Sequence, residues 1–238
     1  MSNSLYLVGV GPGSRNYLTD IVKEIIRSSK YIVGYQYTLS TIRHLLDPHY
    51  QNIIEVTMLS QEQTYQQVHD EMKNDEYCTI PFTGDVNFSE SEVVDRLLQI
   101  FGDTNVELIP GISSIQVAAS KAKIPLDQSA VFTFHVTKEI EQERDELINA
   151  IKSKRNVILL PRPWNGDMEK QFMESDIAYF LKANGIETSK LKVWVFEFLT
   201  RENEKIFTGK VNDLEDRSFD PLSVMVIDQI KRRSYMDF

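Results

Sequence analysis

Three short segments of small residues could bring backbone groups close to a ligand. They are residues 9–13 (GVGPG), residues 83–85 (TGD) and residues 110–114 (PGISS). Glycine has no Cβ, so a backbone rich in glycine can approach a bound molecule closely. A helix that begins near Ser113 would also present free N–H groups, which favour a carboxylate or a phosphate. The spacing therefore indicates a site built from backbone groups.

Each segment also has a purely structural interpretation, and the sequence leaves both open. Residues 9–13 would make a tight turn, Asp85 would accept hydrogen bonds from the nearby backbone, and Ser113 would cap a helix. The G-x-G-x-x-G pattern of a dinucleotide site needs glycine where the chain has Ser14, and an acidic residue near Tyr35. No G-x-x-x-x-G-K-[ST] phosphate loop occurs in the sequence. A nicotinamide-dependent oxidoreductase is therefore disfavoured.

Few side chains have the spacing of a catalytic arrangement. His135 ends a predicted strand, where a histidine more often makes a structural hydrogen bond than acts as a base. Arg162, Trp164 and Asn165 lie on a predicted loop, where binding residues concentrate, although a solvated turn is the alternative. The sequence has no Ser/His/Asp or Cys/His signature, and its single cysteine, Cys78, and four histidines have no zinc-binding spacing. We therefore expect no metal site.

Short apolar runs alternate with helical patterns around the three loops. We predict strands at residues 5–8, 31–34, 79–82 and 106–109, and helices at 19–29, after a capping box at 89–92 and after another at 113–116. The first strand, helix and strand form a βαβ unit, which implies parallel strands. Because ligands bind beyond the carboxyl ends of such strands, the three loops are candidates for one site.

The pattern restarts in the second half of the chain. We predict strands at residues 131–136, 157–160, 192–198, 204–208 and 223–227, and helices at 139–153 and 177–183. The predicted fold class is α/β, with two α/β lobes at residues 1–112 and 113–238 and a boundary between residues 110 and 126. Strand signals dominate the final third, so we expect a mixed or antiparallel sheet in the second lobe.

The charge balance narrows the function classes further. The 238 residues include 26 Lys and Arg against 35 Asp and Glu, and the net charge of −9 argues against a nucleic-acid binder. No run approaches the ~18 apolar residues of a membrane span, and the N-terminus lacks the pattern of a signal peptide. We therefore expect a cytoplasmic protein with no nucleic-acid or membrane partner. The basic segment 231–233 is interpreted as a solvated end.

In this order and spacing, the loops resemble the motifs of the tetrapyrrole (corrin/porphyrin) methylase family. The family's G-x-G-P-G-[DS], V-G-Y-like, S-G-D-P-x-x-Y and P-G-[IV]-[ST]-[SA] segments correspond to residues 9–14, 32–35, 83–88 and 110–114. Residues 157–160 and 207–209 also resemble a strand and a turn of the family's second lobe. The resemblance therefore covers nearly the whole chain.

Within the family, residues 110–116 and 132–135 are most similar to enzymes that methylate C5 of cobalt-precorrin-7 in anaerobic cobalamin synthesis. The chain departs from the family pattern at Val86, where proline is usual, and at Phe88, where tyrosine is common. Two alternatives stay open: methylation of another corrin position, and a small-molecule-binding module without turnover. A diphthine-synthase-like methyltransferase typically has G-x-G-L-G in the first loop, so Pro12 argues against it.

The resemblance implies that S-adenosyl-L-methionine binds in a cleft between the two α/β lobes of a homodimer subunit. The reaction would be methyl transfer from a sulfonium to an electron-rich ring carbon, which depends on positioning more than on an acid or base. Asp85 or His135 would assist if the ring loses a proton. The residues expected to border the donor, mostly through backbone groups, are Gly11, Pro12, Thr83, Gly84, Asp85, Val86, Phe88, Ser113, Ser114 and Leu160.

A precorrin ring carries many carboxylates, so an acidic protein that binds it needs a local basic surface. The candidates for this surface, each expected near a strand end, are Arg15, Arg43, His44, Lys138 and Arg162. Ordinary surface charge is the alternative for each of them. We therefore expect basic residues to gather at the mouth of the cleft. The sequence leaves open whether a separate decarboxylating methyltransferase associates with the chain.

Overall fold

Short apolar runs form the strands of the protein, and amphipathic segments between them form the helices. A computed structural model describes residues 4–73, 75–164 and 170–229. The chain divides into two units, Met1–Ser114 and Ile115–Phe238, and each unit contains one five-stranded sheet. Asn165 and the basic segment 231–233 lie outside the described residues.

The first unit is built from parallel βαβ connections. Its strands are Ser4–Gly9 (β1), Tyr31–Tyr35 (β2), Asn52–Val56 (β3), Tyr77–Phe82 (β4) and Val106–Ile109 (β5). Its helices are Asp20–Ser28 (α1), Gln36–Ile42 (α2), Gln61–Glu71 (α3) and Ser91–Phe101 (α4). The strands pair in parallel in the order β3-β2-β4-β1-β5, so their carboxyl ends share one edge.

Two apolar clusters cover the two faces of this sheet. Val22 of α1 and Leu39 of α2 belong to one cluster, and Tyr65 of α3 and Leu97 of α4 belong to the other. The inner strands β2 and β4 are buried on both faces, which explains their continuous apolar sequences. Because α1 follows β1 on one face and α4 follows β4 on the other, the chain diverges at the carboxyl ends of these neighbouring strands.

The predicted strands and helices of this unit are confirmed, but the predicted cap at Ser89 is wrong. Ser89 does not begin a helix: α4 starts at Ser91 after Glu90, and the backbone of Ser89 is left-handed, with a φ of +74°. The sequence patterns did not predict β3, α2 or α3.

Helix Ser114–Ala122 (α5) leads into the second unit. The strands of this unit are Ser129–Thr133 (β6), Asn156–Leu160 (β7), Lys192–Glu197 (β8), Lys205–Lys210 (β9) and Ser223–Asp228 (β10). Its further helices are Glu141–Lys152 (α6) and Glu174–Ala183 (α7). The order is β6-β7-β10-β8-β9, in which only β6 and β7 pair in parallel within the described residues. The expected mixed sheet is confirmed.

Helices α6 and α7 pack on one face of the second sheet. Leu147 of α6 and Ile177 of α7 join Leu159, Val195 and Met225 in one buried cluster. Strand β6 ends at Thr133, three residues before the predicted end at Val136, so His135 lies on the following loop. Because β6 and β7 are parallel, the loops that follow them leave the sheet at the same edge.

Candidate functional site

The loops after β1, β4 and β5 meet at the carboxyl edge of the first sheet, as the sequence predicts. Strand β1 pairs with β4 on one side and β5 on the other, so their loops are neighbours. The N–H of Gly11 donates to the carbonyl of Gly84 at 3.1 Å, and the N–H of Gly84 donates to the carbonyl of Gly11 at 2.8 Å. This pair of hydrogen bonds extends the β1–β4 contact beyond the sheet.

Glycines allow the three loops to touch through their backbones. A Cβ at Gly9 would lie 2.6 Å from both the nitrogen of Gly111 and the oxygen of Gly84. A Cβ at Gly111 would overlap the same Gly84 oxygen and would lie 2.5 Å from the oxygen of Gly9. Such distances leave no space for a side chain at either position. Peptide groups, and not side chains, therefore hold the three loops together.

The loops after β1 and β4 lie at a topological switch point. The first leads to α1 on one face of the sheet, and the second leads toward α4 on the other face. In open α/β sheets, ligands bind in the crevice that such diverging connections leave beyond the carboxyl ends of the strands. The Gly11–Gly84 hydrogen-bond pair lies at this crevice. It is therefore a favourable place for a ligand in the first unit.

Asp85 organises the loop after β4. Its Oδ1 accepts hydrogen bonds from the backbone nitrogen of Asn87 at 2.6 Å and from Nδ2 of Asn87 at 2.9 Å. The predicted hydrogen bonding of Asp85 to the nearby backbone is therefore confirmed. Val86 is buried in the apolar cluster that contains Tyr65 and Leu97, so only its backbone can face a ligand. Thr83 and Phe88 are half-buried. A catalytic role for Asp85 stays a prediction.

The first turn of α5 adjoins the loop after β4. Ser113 is buried and immediately precedes α5, whose first residue is Ser114. A Cβ at Gly84 would lie 3.6 Å from the backbone nitrogen of Ser114. The backbone nitrogen of Ser114, at the start of α5, therefore lies close to Gly84, where it could donate to a carboxylate. Pro12 is buried in the loop after β1.

His135 and Leu160 lie at the corresponding edge of the second sheet. Leu160 ends β7, and its carbonyl accepts a hydrogen bond from the N–H of Phe134 at 2.9 Å. The side chain of His135 is reached by solvent, yet desolvation by the surrounding protein lowers its pKa. The imidazole is therefore mainly neutral at pH 7 and able to accept a proton. Contact of either residue with a methyl donor stays a prediction.

Comparison with known proteins identifies the family of the chain. The family model Tetrapyrrole (Corrin/Porphyrin) Methylases matches residues 4–215 of the chain. The chain belongs to this family. A relative from Methanocaldococcus jannaschii, described as a probable cobalt-precorrin-7 C(5)-methyltransferase, is 33% identical over 223 residues, which are 93% of this chain and 96% of the relative. The family resemblance of the sequence motifs is thus confirmed.

Solved structures of other tetrapyrrole methylases have the same fold. The methyltransferase CobJ superposes with a TM-score of 0.78 at 16% identity, covering 98% of this chain and 97% of CobJ. The precorrin-6Y methylase CbiE from Archaeoglobus fulgidus superposes with a TM-score of 0.66 at 22% identity, covering 96% of this chain and 99% of CbiE. At these identities the likeness concerns the fold, and the predicted fold of two α/β lobes is confirmed.

The predicted basic residues of this tetrapyrrole methylase have different surroundings. Arg15 is exposed directly after the first glycine loop. Arg43 and His44 follow α2, which leads the chain back toward the amino ends of the strands, so their expected place at the carboxyl edge is wrong. Lys138 is exposed and pairs with Glu143 at 3.0 Å.

Arg162 is not the surface charge that the sequence suggests. Arg162 is only 3% exposed, and its backbone pairs with Phe172 through two hydrogen bonds of 3.0 and 2.9 Å. Its role toward a substrate stays a prediction.

Two carboxyl groups of the methylase were not singled out in the sequence. Burial raises the pKa of Glu90 to about 7 and that of Glu174 to about 7. Glu90 caps α4 just beyond the loop of Asp85, and Glu174 opens α7 and is 1% exposed. Perturbed carboxyl groups concentrate at functional sites, although structural burial also produces them. Only a helix-start pattern marked Glu90 in the sequence, and no pattern marked Glu174.

Proposed function

We propose that the chain transfers a methyl group from S-adenosyl-L-methionine to a precorrin ring in cobalamin biosynthesis, at C5 of cobalt-precorrin-7. The observation that carries the ring position is the relative from Methanocaldococcus jannaschii, which is named for this reaction and is 33% identical over nearly its whole length. The departure at Val86 is compatible with the proposal, because the side chain of Val86 is buried and leaves only its backbone for a ligand.

The glycine loops fit the proposed methyl donor. Close packing at Gly9, Gly84 and Gly111 holds the three loops together, and backbone groups of these loops are proposed to bind the ribose, the base and the amino-acid part of S-adenosylmethionine. The N-terminal turn of α5 at Ser114 can hold its carboxylate. When bound, S-adenosylmethionine supplies an electrophilic methyl group. The first-unit residues proposed to border it are Gly11, Pro12, Thr83, Gly84, Asp85, Val86, Phe88, Ser113 and Ser114; Leu160 is proposed in the second.

The protein's own groups act mainly by positioning in this proposal. Asp85 fixes the loop after β4 through its hydrogen bonds with Asn87, so the peptide groups that face the donor keep one arrangement. Holding reactants in line at contact distance removes a large entropic part of the barrier. His135, which is mainly neutral at pH 7, is proposed to accept a proton that the methylated ring loses.

Incubation with methyl-labelled S-adenosylmethionine and a cobalt-precorrin mixture tests the transfer. The proposal predicts label in the corrin fraction and a product one methyl group heavier by mass spectrometry. Binding of S-adenosylmethionine in a calorimeter without any labelled corrin would instead support a small-molecule-binding module without turnover. Label on a different ring carbon would retain the family activity and reject the C5 position.

We further propose that the enzyme is a cytoplasmic homodimer. Within the described ranges, no helix has both the length and the apolar character needed to cross a membrane. Light scattering coupled to gel filtration measures the assembly directly, because the chain has a mass of 27.5 kDa. A homodimer should give about twice that mass. A mass near that of one chain at micromolar concentration would reject the dimer.

A further inference from the structure

Arg162 is a buried cation in the second unit. Its guanidinium carbon lies 4.6 Å from the centroid of the Trp164 ring, and its Nη2 donates to the carbonyl of Thr137 at a long 3.4 Å. The Nε atom of Arg162 is buried and finds no acceptor among the described residues. The guanidinium has five N–H donors, so most of its hydrogen-bonding capacity is not used by these contacts.

Arg144 of α6 approaches the same region from the helix layer. Its guanidinium carbon lies 4.4 Å from the centroid of Phe172 and 5.8 Å from that of Phe180. Its Nε is also buried without an acceptor in the part of the chain that the structure describes. Stacking on aromatic rings stabilises a cation but provides no acceptor for its N–H groups.

Phe172 brings the two arginines together. Residues 162 and 172 form an antiparallel bridge in which each N–H donates to the other residue's carbonyl. Residues that face each other in this way project their side chains to the same side, with Cβ atoms about 5 Å apart. The ring of Phe172 contacts the guanidinium of Arg144, and Arg162 lies across the backbone bridge from Phe172, so both arginine residues are neighbours of Phe172. Arg144 lies in α6, the helix after β6, and Arg162 lies in the loop after β7.

Neither arginine has a carboxylate partner in the ranges 4–73, 75–164 and 170–229. Other cations of the same unit do have one: Lys138 pairs with Glu143 at 3.0 Å, and Lys182 pairs with Glu215 at 2.8 Å. In a chain of net charge −9, acidic side chains outnumber basic ones, so a cation without a carboxylate partner is unexpected. Burial of a guanidinium without a counter-ion is unfavourable.

We propose that Arg144 and Arg162 form a carboxylate-binding subsite for an acidic side chain of the ring substrate. A carboxylate matches the fork of a guanidinium in bidentate geometry, and its negative charge would offset part of the charge of the two cations. Lys170, whose Nζ lies 5.2 Å from the centroid of Trp164, adds a positive charge beside the subsite, and Trp164 presents an apolar ring there. The proposal rests on the proposed function, because that function implies a ring with several carboxylates.

Fluorescence titration with uroporphyrin III, a macrocyclic polycarboxylate, tests the subsite on the full chain. Uroporphyrin methyl ester is the matched probe, since it keeps the ring and lacks the charges. We expect Arg144→Met to weaken uroporphyrin binding about tenfold, and higher salt to reduce the difference from the unchanged protein. Arg162→Lys should weaken binding similarly, because an ammonium group lacks the fork geometry.

Arg217→Met is the control for the loss of a stacked arginine. The guanidinium carbon of Arg217 lies 4.5 Å from the centroid of Phe207 in the same unit, but Arg217 is exposed and lies outside the subsite. This variant should bind uroporphyrin as the unchanged protein does. Calorimetry should give all three variants the same affinity for S-adenosylmethionine within about twofold.

Native affinity for uroporphyrin in folded Arg144→Met and Arg162→Lys proteins would overturn the subsite. So would equal affinity of the unchanged protein for uroporphyrin and its ester, or no binding of uroporphyrin at all. Arg144 is half-buried, so Arg144→Met keeps the test usable if the change at buried Arg162 prevents folding. Failure of the proposed function has a different signature: absence of methyl transfer by the unchanged protein, whatever its affinity for uroporphyrin.

Discussion

The carboxyl edges of the two sheets are built from different groups. In the first unit, Gly9, Gly84 and Gly111 bring peptide groups into direct contact, and side chains contribute little at that point. In the second unit, the loops after β6 and β7 carry exposed His135 and buried Arg162, which lies beside aromatic rings. A surface of peptide groups tolerates no added atoms but depends little on residue chemistry. A surface of side chains can change its ligand through single substitutions.

This difference suggests that the two regions of the tetrapyrrole methylase bind different ligands. Under the proposed function, backbone groups of the first unit bind the methyl donor. Side chains of the second unit bind the ring substrate. Substitutions in the first unit should therefore change the affinity for the donor, and substitutions in the second unit should change the affinity for the ring.

The largest effect is expected for Gly111→Ala. Its new Cβ would overlap the backbone oxygen of Gly84 and crowd Gly9, and neither backbone can move without opening the sheet edge. We expect a loss of about 3 kcal/mol or more in the free energy of unfolding, and loss of S-adenosylmethionine binding. Urea denaturation and calorimetry measure the two quantities.

The control for this change is Gly102→Ala in the same unit. Gly102 has a φ of +80°, but the nearest atom to a Cβ there is 3.7 Å away, so only backbone strain of about 1 kcal/mol is expected. Equal losses in Gly102→Ala and Gly111→Ala would show that the close contact of the loops contributes nothing.

The next largest effect is the pH dependence that Glu174 gives to the free energy of unfolding. Burial raises its pKa from 4.5 to about 7, while the nearby Ser223 hydroxyl acts in the opposite direction and Glu197 and Asp176 raise it further. Below pH 4.5 both folded and unfolded forms are protonated. As the pH rises toward and through about 7, the unfolded chain ionises first, so stability falls by up to about 3 kcal/mol.

Glu174→Gln should remove this loss and leave the free energy of unfolding flatter between pH 5 and pH 8. Exposed Glu187, which pairs with Lys190 at 2.8 Å, gives the matched control Glu187→Gln, for which we expect the pH dependence of the unchanged protein. Parallel stability curves for Glu174→Gln and the unchanged protein would contradict the burial argument.

A moderate effect is expected for Asp85→Ala. The change removes the two hydrogen bonds from Asn87 and lets the loop after β4 move, which should weaken S-adenosylmethionine binding about fivefold. If Asp85 only positions the loop, the Michaelis constant for the donor rises and kcat changes little. A large decrease in kcat with unchanged affinity for the donor would instead support a direct catalytic role for Asp85.

The smallest effect is expected for Lys138→Gln. Lys138 is exposed and its charge is already paired with Glu143, so the free energy of unfolding should change by less than about 0.5 kcal/mol. Ring binding should weaken by less than about twofold, and only at low salt. A tenfold loss of uroporphyrin affinity would move the anion-binding surface from Arg144 and Arg162 toward the loop after β6.

The backbone site was the part most open to prediction from the sequence. Each of its loops follows a short, continuously apolar strand, and glycine and proline mark the turn at its end. Strand β3 lies at the sheet edge and is half-exposed, so its apolar signal is weak. Helix α3 was missed because glutamines occupy much of its surface.

The side-chain site could be predicted only in part. The sequence predicts Arg162 as a loop residue after a strand, but it does not predict the burial of Arg162 or its pairing with Phe172, ten residues later. Arg144 lies in a highly charged helix, where nothing in the local sequence separates it from solvated neighbours. Contacts of this kind arise from tertiary packing, which local periodicity does not contain.

The central claim is the methylation of one ring carbon, and carbon NMR tests it most directly. The unchanged protein is incubated with cobalt-precorrin-7 and S-adenosylmethionine that carries a ¹³C-methyl group, and the corrin product is isolated. The proposed function predicts a single enriched methyl resonance assigned to C5 of the ring. An enriched methyl at another carbon, or a corrin without enrichment after S-adenosylmethionine has bound, would contradict it.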